Sequence, residues 1–200
     1  MLPVELKSGL WRWTAPHPDW HESEPGSSAD WPREVGCTLY QAGAEAVFID
    51  PLVPAGEEAA FWRWADARCG RRAVRVLTTI SFHRRSRDAF RERYRASTLR
   101  AKANLPPGVE SLPLKGAGET LFWLPEVHTL VAGDRLISDA DGRLHVCPQS
   151  WLDYLPSEIS EKALKKLLRP LLDLPIETIL LSHGEPLLED AKAALARALR

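Results

Sequence analysis

Short apolar runs that break off into polar turns, most of them with a helical pattern nearby, limit what this 200-residue chain can fold into. Strand-like runs are expected at Leu6–Trp13, Cys37–Gln41, Ala46–Ile49, Ala73–Thr78, Glu119–Leu124, Thr129–Ala132, Arg143–Val146 and "IETILL". Helical patterns are expected at Glu57–Cys69, Ser86–Ser97, from Ser157 through Leu172 with a kink at Pro170, and at Pro186–Leu199. Each half of the chain therefore runs from strands to helix and back. No repeat or linker divides them, so residues 1–200 read as one domain. Two sheets packed back to back with helices outside satisfy this order.

Composition narrows the class. Hydrophobic residues make up 44% and charged residues 26%, values of an ordinary globular protein that closes its core without disulfides. A net charge of -1 gives the molecule as a whole no pull toward nucleic acid or membrane. Cys37, Cys69 and Cys147 lie far apart and read as buried, reduced thiols of a cytoplasmic protein. "MLPVELKSGL" lacks the basic and apolar regions of a signal peptide, and no apolar run reaches the length of a membrane span. The stretch Thr14–Gly36 holds four prolines and two tryptophans and reads as a loop covering a cleft, with Trp20 or Trp31 as an apolar wall. The histidines of "HPDWH" (His17, His21) are four apart, but the prolines forbid the helix that would pair them.

Polar pieces stand at strand ends: "FIDPL" (48–52), "LTTISFHRRSRD" (77–88), "LVAGDRL" (130–136) and "LLSHGEP" (180–186). In order and spacing they resemble the metallo-β-lactamase fold family. The resemblance implies an α/β (α+β) chain folded as a four-layer αββα sandwich. It places Asp134 at the family's metal-bridging aspartate and His183 at its late histidine ligand. The family's HxHxDH motif gathers imidazoles and a carboxylate around two cations, which activate a water. Here the motif's place is taken by residues 77–88. Its ligand slots fall on Thr79, Ser81, His83 and Arg84, or on His83, Arg85, Arg87 and Asp88. "PLKGAGETLFW" carries the glycines of a further ligand turn but no histidine, and His128 reads as a strand-edge residue.

The candidate metal ligands are thus His83, Asp134 and His183, enough for one catalytic zinc and too few for two. Arg84, Arg85 and Arg87 put fixed positive charge where a cation would sit. The first reading is therefore a non-catalytic or anion-binding protein of hydrolase-like, metallo-β-lactamase-type fold, its dinuclear metal motif largely lost and no cofactor bound. Its cleft would bind a small anionic molecule through Arg84, Arg85, Arg87 and Asp88. An alternative is a hydrolase of a small ester, thioester or phosphoester that uses one zinc. A third is nucleic-acid binding through the basic helix Arg84–Lys102, which holds eight basic and two acidic residues.

Overall fold

The computed structural model describes residues 3–98 and 105–200. Two sheets stack between two pairs of helices. The first sheet runs in sequence order: β1 (Val4–Lys7), β2 (Leu10–Pro16), β3 (Glu34–Ala42), β4 (Glu45–Ile49), β5 (Ala73–Leu77) and β6 (Ser97–Thr98). Its first four strands are antiparallel neighbours; β5 and β6 join in parallel. The second sheet is built from β7 (Glu110–Leu114), β8 (Glu119–Leu124), β9 (Thr129–Ala132) and β12 (Thr178–Leu181). Its order is β12-β9-β8-β7, with β12 parallel to β9. A small hairpin, β10 (Leu136–Ser138) with β11 (Leu144–Val146), follows β9. Helices α1 (Glu58–Cys69) and α2 (Arg87–Tyr94) precede the second sheet, whereas α3 (Glu161–Leu168) and α4 (Ala191–Ala198) come late in the chain.

Side-chain alternation builds the layers, because successive residues of a strand point to opposite faces. In β4, Ala46 and Phe48 pack toward α1, while Val47 and Ile49 face the second sheet. In β8, Phe122 and Leu124 answer them, and Leu121 and Trp123 turn toward α3 and α4. In β9 and β12, Val131 and Leu180 enter the inter-sheet layer, while Leu130, Ala132, Ile179 and Leu181 join the other core. The sheets are therefore buried on both faces, as the αββα expectation requires. Aromatic rings fill the layer beneath α1 and α2: Phe48, Phe61, Trp62 and Phe90 meet at centroid distances of 4.5–6.2 Å. All three cysteines are buried and unpaired.

Several segments depart from expectation. Leu6–Trp13 is two strands, not one, because the chain turns at Ser8-Gly9. The run ending in "ESLPL" is strand β7 rather than loop; Pro113 is tolerated because β7 lies at the sheet edge. The helix after His83 stops at Tyr94: Arg95 takes a left-handed φ of 52°, and Ser97–Thr98 pair with β5. The basic helix expected over Arg84–Lys102 is thus only its central part, and residues 99–104 lie outside the described residues. Ser160, not Ser157, caps α3, accepting from the Ala163 amide at 3.2 Å. The last helix starts at Ala191 rather than Pro186, since Leu187 bonds back to Ile179 on β12.

Backbone also links the two sheets directly: the Gly36 amide on β3 donates to the Ser182 carbonyl just after β12 at 2.8 Å. A Cβ at Gly36 would collide with the Leu181 carbonyl oxygen, so only glycine allows this approach. Gly36→Ala should lower stability by about 1–3 kcal/mol through overpacking against backbone that cannot yield. Urea unfolding of the variant beside the parent chain measures it.

Candidate metal centre

The site assembles where strands of both sheets end. β4 is followed at once by Asp50, whose side chain is buried and whose φ of 48° suits an aspartate at a sharp turn. One carboxylate oxygen accepts from the Thr79 amide at 2.9 Å. The other takes the Thr79 hydroxyl and lies 2.9 Å from His83 Nδ1. The turn after β5 is thereby folded around Asp50. Bonding between Nδ1–H and the carboxylate fixes the His83 tautomer and leaves Nε2 to face the cleft.

From the second sheet comes the turn after β9. Buried Glu119 accepts three consecutive amides there, from Gly133 (2.9 Å), Asp134 (2.7 Å) and Arg135 (2.9 Å). Burial, with Asp134 nearby, raises Glu119 to about 7. This clamp orients Asp134. A Cβ on Gly133 would meet Thr79 Oγ1 at 2.5 Å, so the turn lies directly against the Asp50 turn. His183 follows β12 and is held by rings, edge-on to Trp151 (5.2 Å) and Trp31 (5.9 Å).

His83 Nε2 lies 2.9 Å and His183 Nε2 3.3 Å from the same oxygen, Asp134 Oδ1. Ligand atoms of all three residues fall within 4.8 Å of one another. Asp134 Oδ1 is buried and, among the described residues, has no partner in hydrogen-bond geometry, although both rings are close. Donor atoms gathered around a common cation show this relation: neighbouring ligands of a tetrahedral zinc stand about 3.3 Å apart. The three candidate ligands named from the sequence are thus brought together, and their donor set fits one zinc with an open position.

The arginines separate. Arg85 lines the cleft, but Nη1 donates to the carbonyls of Gly36 (2.8 Å) and Asp50 (2.9 Å), and Nη2 lies 3.4 Å from Ser182 Oγ. Arg84 is exposed outside the cleft lining, and Arg87 pairs with Asp88 on the first turn of α2. Trp31 walls the cleft, whereas Trp20 supports it from behind, donating from Nε1 to the Trp31 carbonyl at 2.8 Å. His17 joins the lining from the same loop. Burial and then Arg85 hold it below its ordinary value, so it is neutral at neutral pH. The cleft has a volume of about 460 Å³, and Phe82, Trp151 and Tyr154 complete its walls.

Sequence reasoning missed Thr79 as a partner of Asp50, and Glu119, Arg135 and Tyr154 altogether. Glu119 had a signal: it is an acid at the start of the apolar strand "ETLFWL". Arg135 and Tyr154 had none, since their meeting depends on tertiary packing.

No protein-family model and no curated protein matches this sequence. Solved structures do. A metallo-β-lactamase from Erythrobacter litoralis is 16% identical, with a TM-score of 0.65 over 98% of this chain and 93% of that one. One from Hirschia baltica is 13% identical, with a TM-score of 0.61 over 100% and 97%. A metallo-β-lactamase family protein from Thermus thermophilus is 16% identical, with a TM-score of 0.55 over 97% and 79%.

His83 feels burial, which opposes its charge, and the carboxylates of Asp134 and Asp50, which win and raise it to about 9. The folded value exceeds the ordinary 6.5. In metal-free protein the stabilisation is therefore complete below pH 6.5 and lost as pH rises through about 9. Urea unfolding in chelator between those limits should show the decline, and His83→Gln should flatten it. Layer order, strand-end residues and the likeness to solved structures agree: this chain has the metallo-β-lactamase fold.

Proposed function

We propose that the protein is a hydrolase that works with a single zinc held by His83, Asp134 and His183. The observation that carries the reading is the convergence of His83 Nε2 and His183 Nε2 on a buried Asp134 oxygen without hydrogen-bond alignment. The Asp50 carboxylate behind His83 supports it, since ligating histidines commonly give their second N–H to such a group. The solved relatives carry the name metallo-β-lactamase, which agrees with a hydrolytic role.

A zinc held by these three residues would supply a water acidic enough to act near neutral pH and would polarise a carbonyl. The chain's own residues do the rest. Asp50 keeps the His83 proton on Nδ1, Glu119 holds the Asp134 turn, and Trp31 and Trp151 exclude water around His183. In the reaction, water adds its oxygen to an acyl carbon, the bond to the leaving group breaks, and the proton ends on that group. Neutral His17, which lines the same cleft beside Trp31, is the group that would relay it.

The anion-binding reading keeps one observation in its favour: Arg85 Nε is buried beside the cleft without a partner among the described residues. Its other nitrogens are already engaged by the protein, so this is one donor rather than a fork.

Elemental analysis of protein purified without chelator decides between them. About one zinc per chain is expected, falling below about a tenth in Asp134→Ala and His183→Ala. Metal below a tenth in the parent chain, after incubation with zinc, overturns the reading. Asp50→Asn should weaken zinc affinity by about 10- to 100-fold, read by competition with a chromogenic chelator.

A further inference from the structure

One wall of the cleft is built in a way that metal binding does not need. Arg135 is 0% exposed, and a buried guanidinium is retained only with good partners. Its Nε donates to the Ala117 carbonyl (2.7 Å), Nη1 to the Trp151 carbonyl (3.2 Å) and Nη2 to the Tyr154 hydroxyl (2.7 Å). Arginine has no acceptor. The Tyr154 oxygen therefore receives from Nη2, and its own O–H is left to donate. Among the described residues the hydroxyl has no other hydrogen-bond partner. Burial holds the phenol above its ordinary value against the pull of Arg135, so it keeps its proton at neutral pH.

The ring of Tyr154 stands edge-on to Phe82, 5.3 Å between centroids. Phe82 is 61% exposed and Tyr154 47%, and both line the cleft that holds the ligand triad. Phe82 sits one residue before His83, on the turn fixed by Asp50. A large apolar side chain in water beside a polar donor is a place for an amphiphilic ligand.

We propose that Tyr154, braced by Arg135, donates a hydrogen bond to the substrate's acyl oxygen, and that Phe82 beside it seats an apolar acyl group. The substrate class is then an ester or thioester of an apolar acid, and the carboxylate product binds the same wall. This rests on the cleft being the hydrolytic site proposed above, and the experiment separates the two ideas.

Binding of 4-phenylbutyrate, butyrate and inorganic phosphate is measured by calorimetry on the full chain, both zinc-loaded and chelator-stripped. The parent chain should bind 4-phenylbutyrate about tenfold more tightly than butyrate, from the apolar area of the ring. Phe82→Ala should remove most of that preference. Because Phe82 is exposed, the variant should fold as the parent does. Tyr154→Phe keeps the ring and should weaken both acids by about fivefold while leaving the preference intact. Equal affinity for the two acids, no binding of either, or unchanged affinities in Tyr154→Phe overturns the proposal. So does phosphate binding more tightly than both acids. A chain that takes up no zinc but still prefers 4-phenylbutyrate loses the hydrolase reading and the ester substrate with it, and keeps only the acid-binding wall of Tyr154 and Phe82. Zinc uptake without the preference does the reverse.

Discussion

The buried carboxylate of Asp50 is the constraint around which the candidate site is arranged. A negative charge at the closed end of two parallel strands demands donors, and the chain after β5 supplies the Thr79 amide, the Thr79 hydroxyl and His83 Nδ1. The turn cannot open without leaving that charge unpaired, a loss of several kcal/mol. His83 is thereby aimed by hydrogen bonds that exist whether or not a metal is present. Glu119 performs the matching task from the second sheet, where one carboxylate gathers three successive amides and sets the direction of Asp134.

Charge balance follows from these two clamps. Asp50, Glu119 and Asp134 bring three carboxyl groups into one small buried region, facing Arg85, Arg135 and the two histidines. Neither arginine is free to act as a mobile clamp: each is tied to backbone carbonyls. They serve as fixed posts, Arg85 joining both sheets beside Gly36, and Arg135 holding the far wall. Positive charge near the triad is therefore part of the wall's construction, and it faces carboxylates close by.

The layer order was legible in the sequence because burial on both faces leaves a strong record: apolar runs such as "AVFI" (46–49) and "LVA" (130–132) between helical patterns. The strand β7 was not legible, because an edge position admits proline and makes a strand read as a loop. The three ligands were readable from their places at strand ends, although two spacings fitted the segment that holds His83. The structure divides both spacings: Thr79 and His83 share Asp50, Arg85 lines the cleft, Arg84 lies outside it, and Arg87 and Asp88 pair on the helix. What sequence could not reveal is which arginine enters the cleft, because Arg84, Arg85 and Arg87 are chemically alike. Arg85 takes a left-handed φ of 37°, and its guanidinium is held inside by the Gly36 and Asp50 carbonyls.

The contact between Gly36 and Ser182 has a consequence beyond local packing. Asp50 and His83 belong to one sheet, Asp134 and His183 to the other, so the gaps between ligand atoms register any sliding of the sheets. The layer between them, with Val47, Phe122 and Leu180, acts as the bearing on which that sliding would occur. A methyl group added or lost there, far from any polar atom of the cleft, becomes a means of tuning the grip on whatever the triad holds. Evolution or design could thus adjust this centre without touching a single one of its ligands.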